Sequence, residues 1–103
     1  YETKWRDELP RVSLDLANWC VEHRVKLLGV EPPSVADVNH LPELIQIHQT
    51  LLRGGVLIVE GLINLDAIVQ EKVFFAALPL KPLRGDGSPV RAFAIEGGQW
   101  PAL

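Results

Sequence analysis

His48 and Glu60 are the two side chains whose types and settings suit metal or acid–base chemistry. His48 lies four residues after Leu44 and four before Leu52, so a helix through this stretch places its imidazole among apolar side chains, where it is expected to be buried. A buried imidazole either satisfies itself on a backbone carbonyl or serves as a ligand or base. Glu60 closes the apolar run Val56-Leu57-Ile58-Val59, and strand alternation puts it on the face of Val56 and Ile58. A carboxylate there needs a partner. Arg53 or Lys81 could supply an ion pair, and a zinc, manganese or iron ion shared with an imidazole would serve equally well. On the residues alone both alternatives stand.

The remaining polar candidates read as structural. Ser34 follows two prolines and has no nearby base to activate it, so its hydroxyl is expected to order a loop. Asn64 suits the N-cap of a short turn and Asp66 its positive end. Arg91 falls in a strand, where pairing with a carboxylate is expected. His23 and His40 are expected to be solvated, and Trp19, Phe74 and Phe75 to anchor a core or an interface.

The elements that must position these groups follow from periodicity and punctuation. Ser13 is a good N-cap after Pro10, Asp15 favours the positive helix end, and Leu14, Ala17, Cys20 and Val21 recur at helical spacing, with His23 and Arg24 suiting the last turn. Residues 25–30 read as a strand, stopped by Glu31, Pro32 and Pro33, and residues 31–40 as a polar loop. From Pro42 the spacing of Leu44, Ile45, Ile47, Leu51 and Leu52 predicts a buried amphipathic helix with Gly54 at C′. Residues 56–60 form a strand and residues 64–68 one helical turn. Residues 73–80 and 89–95 make a hairpin around Gly85, Asp86 and Gly87.

The bulk properties narrow the class. The chain has 103 residues, 48% hydrophobic and 22% charged, which suits one ordinary globular domain with a small core. With a formal net charge of -3 and no basic block, a nucleic-acid partner is not expected. No apolar run approaches the roughly 18 residues of a membrane span, so no membrane association is expected. Cys20 is the single cysteine, which excludes an internal disulfide and fits a cytoplasmic setting. Tyr1 is read as a cut, because neither an initiating Met nor a leader is present.

Several blocks, taken in order, carry a resemblance: Val25-Lys26-Leu27-Leu28-Gly29-Val30, Ser34, His48 with Leu51 and Leu52, Gly55 to Glu60, Asn64-Leu65-Asp66, Ala77-Leu78-Pro79-Leu80-Lys81 and Gly87-Ser88-Pro89-Val90-Arg91-Ala92. This set is similar to the C-terminal half of the cyclase family of metal-dependent hydrolases, which includes bacterial kynurenine formamidase and isatin hydrolase. The resemblance implies an α/β fold with a central mixed sheet and flanking helices, swivelling β/β/α-like and incomplete here, with residues 1–103 as the C-terminal part of a single domain. It also implies a homo-oligomer, a small amide substrate of the N-formyl aryl amine or lactam type, and one or two divalent metals, zinc or manganese.

In the family pattern a helix histidine and a strand-end glutamate twelve residues later complete one metal position, and His48 and Glu60 match it. Most ligands come from an upstream His-x-Gly-Thr-His-x-Asp-x-Pro motif, absent here, so no catalytic residue is assigned within these residues. That equipment is expected in a missing N-terminal segment, and the chain alone is expected to be inactive. Two departures bear on substrate: Glu31 stands where relatives carry Asp, and Val35-Ala36-Asp37 displaces the acidic residue that follows the serine. The alternative is a non-catalytic scaffold or interaction module that keeps His48 and Glu60 as a structural pair.

Overall fold

The computed structural model describes residues 8–99. Among them the order is α1 (Leu14–Glu22), β1 (Leu27–Gly29), α2 (Leu41–Arg53), β2 (Leu57–Val59), a 3-10 turn (Leu65–Ala67), β3 (Phe74–Pro79) and β4 (Val90–Ile95). The chain divides into two compact units between Ile63 and Asn64. Helices and strands mix as the α/β class requires. Both parallel and antiparallel pairing occur, distributed over two two-stranded sheets.

The first unit is two helix-to-strand passages built alike. Ser13 starts α1, its Oγ accepting the Leu16 N–H at 3.1 Å. At the end of α1 the Arg24 N–H donates to the Val21 carbonyl and the Val25 N–H to the Cys20 carbonyl. At the end of α2 the Gly55 and Val56 N–H groups repeat this toward Leu52 and Leu51. Both are Schellman endings, in which a left-handed residue turns the chain out of the helix. That residue is Arg24 (φ 57°) in one and Gly55 (φ 83°) in the other. Gly54, expected at C′, is instead the C-cap at φ -78°. Its lack of a side chain serves another need: a Cβ there would lie 2.4 and 2.8 Å from the two methyls of Val21, so α1 and α2 pass close at this point.

Each passage delivers its strand to the same small parallel sheet, β1 beside β2 with Leu27 opposite Leu57 and Gly29 opposite Val59. Beyond it, pairing continues as Val30 N–H to Val59 carbonyl, Leu62 N–H to Val30 carbonyl and Gly61 N–H to Pro32 carbonyl. The core is Val12, Ala17, Cys20, Val35, Ala36, Ile47, Leu51 and Val56. Full burial of Ile47 and Leu51 contributes about 2–3 kcal/mol each. The amphipathic reading of α2 holds on this face only, since Ile45 and Leu52 are exposed. Trp19 is half exposed and stacks on His23, ring centroids 4.0 Å apart, so it is no core anchor of this unit.

The second unit holds the expected hairpin, β3 antiparallel to β4 with Phe74 opposite Ile95 and Pro79 opposite Val90. The connection is a long loop rather than a tight reversal at Gly85–Gly87. Its left-handed residue is Arg84 (φ 54°), and Leu80 N–H donates to Ser88 Oγ at 2.9 Å to close its base. At the other end Glu96 Oε1 accepts the N–H groups of Val69 (2.6 Å) and Gln70 (3.2 Å), and Gln70 Oε1 accepts Gly97 N–H at 2.9 Å. Asn64 precedes the 3-10 turn with φ 61° and makes no side-chain cap, so its role is conformational. Arg91 forms no ion pair among the described residues.

Candidate functional site

His48 sits in the second half of α2 and Glu60 is the first residue past β2. The reversal through Gly54 and Gly55 sends β2 back along α2, with Leu51 of the helix and Val56 just ahead of the strand buried in the same core at 0% and 1% exposure. A residue more than a turn before the helix end and one just beyond the strand end therefore come level. His48 Nε2 lies 3.5 Å from Glu60 Oε2. The expected burial of His48 is corrected: its side chain is 28% exposed and that of Glu60 31%, so the pair lies at the margin of the core.

Each member is held by a backbone group. His48 Nδ1 is 2.8 Å from the Leu44 carbonyl, and because a carbonyl only accepts, Nδ1 is the donor. The neutral ring therefore carries its lone pair on Nε2, directed at Glu60. Glu60 Oε2 also accepts the Val35 N–H at 2.7 Å. A lone pair and a carboxylate oxygen facing each other repel, so the arrangement calls for a positive charge, either a proton on Nε2 or a cation between the two atoms. At 3.5 Å the contact is longer than the 2.7–2.9 Å of a tight charged hydrogen bond. Two donors each about 2.1 Å from a shared tetrahedral ion stand about 3.4 Å apart. The separation and the donor set, one neutral nitrogen and one anionic oxygen, thus fit a divalent ion.

Among the described residues no third His, Cys, Asp or Glu joins the pair to complete a ligand set. Of the alternatives for Glu60, Arg53 makes no ion pair with it among the described residues. The other histidines stand elsewhere. His23 Nδ1 bonds the Trp19 carbonyl at 2.9 Å, and His40, the N-cap residue of α2, is 3.5 Å from Glu43.

The loop of residues 31–40 approaches the pair through Val35. Val12 N–H donates to the Val35 carbonyl at 2.7 Å, Ala36 N–H to Ser34 Oγ at 3.2 Å, and Asn39 N–H to Asp37 Oδ1 at 2.9 Å, while Arg11 pairs with Asp37. The Asn39 N–H, followed by the Arg11 charge and hydrogen bond, holds the Asp37 carboxyl below its ordinary value against an opposing desolvation. Ser34 orders the loop through its hydroxyl, as its setting suggests. The Val35 amide carries no sequence signal, because every non-proline residue has one. A cleft opens between the segments that follow the two strands, lined by Pro32, Pro33, Gly61, Leu62 and Ile63.

No family model matches the chain, and no solved structure matches it. Among curated proteins it is similar to the kynurenine formamidase of Geobacillus thermodenitrificans (strain NG80-2), 36% identical over 90 residues that make up 87% of this chain and 42% of the relative. The kynurenine formamidase of Polaromonas naphthalenivorans (strain CJ2) is 42% identical over 74 residues, 70% of this chain and 31% of the relative. That of Bordetella petrii (strain ATCC BAA-461 / DSM 12804 / CCUG 43448) is 30% identical over 94 residues, 91% and 44%. The chain thus spans less than half the length of each of these relatives.

Proposed function

We propose that this chain, which belongs by sequence among the relatives of the kynurenine formamidases, contributes an imidazole and a carboxylate to the divalent-metal site of a hydrolase acting on a small amide. The substrate class is an N-formyl aryl amine, after the name its relatives carry, with a lactam as the related possibility. The metal is zinc or manganese, either of which accepts a mixed nitrogen and carboxylate set. The observation that carries the reading is the 3.5 Å approach of Nε2 to Oε2 with Nδ1 already engaged by a backbone carbonyl.

The chemistry such an ion supplies is Lewis acidity toward an amide carbonyl and toward water. The residues of this chain prepare for it. The Leu44 carbonyl fixes the tautomer and plane of His48, so Nε2 is the presented atom; Glu60 supplies the negative charge, its orientation set by the Val35 N–H. The cleft beside Gly61 and Leu62, mostly apolar with Glu31 on its lining, offers a surface on which an aryl group could lie. Proton transfer is assigned to no residue described here, and homo-oligomeric assembly remains part of the same proposal.

A second reading keeps His48 and Glu60 as an imidazolium–carboxylate pair in a non-catalytic scaffold, favoured by the lack of a third ligand among the described residues. One measurement separates them. In the full-length protein, His48→Ala and Glu60→Gln should each lower bound zinc or manganese and depress hydrolysis of an N-formyl aryl amine by at least about tenfold. Metal content equal to that of the unaltered protein in both variants would leave the scaffold reading standing.

A further inference from the structure

We propose that Ser34 is a positioning residue for the Glu60 carboxylate, a role that rests on reading His48 and Glu60 as part of a divalent-cation site. Among the described residues, Glu60 Oε2 meets the Val35 N–H at 2.7 Å and His48 Nε2 at 3.5 Å. The amide therefore decides where that oxygen sits relative to the imidazole. Val35 is committed on every side: its carbonyl accepts Val12 N–H, its side chain is 1% exposed, and its N–H goes to Glu60. The direction of that N–H follows from the peptide plane between Ser34 and Val35.

The Val12 and Ser34 bonds both fall on the next peptide, Val35–Ala36, whose carbonyl accepts Val12 N–H and whose N–H goes to Ser34 Oγ; the ring closed by Ser34 Oγ encloses the Ser34–Val35 peptide and so restrains its plane. By accepting the Ala36 N–H at 3.2 Å, the Ser34 hydroxyl closes a turn that wraps Val35 and holds its amide outward toward the strand end. Without the hydroxyl, the Ala36 N–H loses its acceptor and the turn gains freedom. The Val35 amide then samples directions that no longer meet Oε2. The carboxylate swings with it, and the spacing to Nε2 that suits a shared ion is held for a smaller fraction of the time. Ser34 itself touches neither the imidazole nor the carboxylate, so its influence runs through one backbone amide.

The test measures zinc affinity of the full-length protein by competition with a chromogenic chelator, together with the melting temperature. Ser34→Ala should weaken zinc binding about tenfold, the low end for partners that orient ligands, and Ser34→Thr, which keeps the hydroxyl, should restore it. Ser13→Ala serves as a control for general destabilisation: it removes the N-cap of α1 and should lower the melting temperature with zinc affinity unchanged. Zinc binding by Ser34→Ala equal to that of the unaltered protein, or an equal loss in Ser13→Ala, overturns the role of Ser34. His48→Ala tells the two levels apart: loss there with none in Ser34→Ala overturns Ser34 alone, and no loss in His48→Ala overturns the pair and Ser34 with it.

Discussion

At the scale of single residues, the loop before α2 depends on charged groups near its surface as much as on its buried valine. Asp37 is held by the Asn39 N–H and by Arg11, which stabilise the carboxylate over the acid and lower its titration. A group lowered in the folded state contributes stability above its ordinary value and loses it as pH falls through the lowered one. Asp37→Asn should therefore flatten the fall in melting temperature below about pH 4, a change that thermal scans across the acid range would detect. An unchanged acid slope would show that Asp37 is not tied down in solution. The approach of His48 to Glu60 was legible at this scale because both lie on strongly patterned segments. The groups that hold them were not: the Leu44 carbonyl and the Val35 amide belong to the backbone, and spacing of side chains carries no trace of them.

Among the elements, the helix endings decide where the strands begin. Gly54 looks in sequence like the residue that stops α2, yet the left-handed position falls on Gly55, and Gly54 is needed where α1 passes over it. The two roles can be told apart. Gly54→Ala should destabilise by about 1–3 kcal/mol, because the added methyl meets the stiff Val21 side chain. Arg24→Gly should stabilise, since a non-glycine left-handed residue costs about 1–2 kcal/mol and the added backbone freedom of glycine offsets part of that. Denaturant titrations of both variants give the signs directly; a destabilising Arg24→Gly would mean that its side chain does more than fill the turn. The sequence places His23 and Arg24 in the last turn of α1 by their charge, but the helix ends at Glu22 with His23 as its C-cap, and no cue marks Arg24 as the left-handed residue beyond it. The elements themselves, with α1, α2 and the hairpin in their expected places, were legible because each has its own apolar periodicity.

On the scale of the whole molecule, burial is uneven. Every fully buried side chain among the described residues lies in the first unit, and none between residues 64 and 99 falls in that class. The hairpin is held instead by its ladder and by the clasp of Glu96 on the amides of Val69 and Gln70. Glu96→Ala should release both amides to rapid hydrogen exchange while exchange in α1 and α2 stays as it was. Slow exchange persisting at both positions would mean that the clasp is not formed in solution. One face of the hairpin carries Phe74, Leu78, Phe93 and Ile95, all more than a third exposed. Detached from its surroundings, a ribbon of this kind is adhesive, because both its borders offer free amides and carbonyls to any passing strand. Pro79 acts as a brake on such stacking: without an N–H it interrupts one border where the Phe-Phe-Ala-Ala-Leu run ends. Replacing that proline would remove a safeguard against clumping while leaving the ladder itself intact.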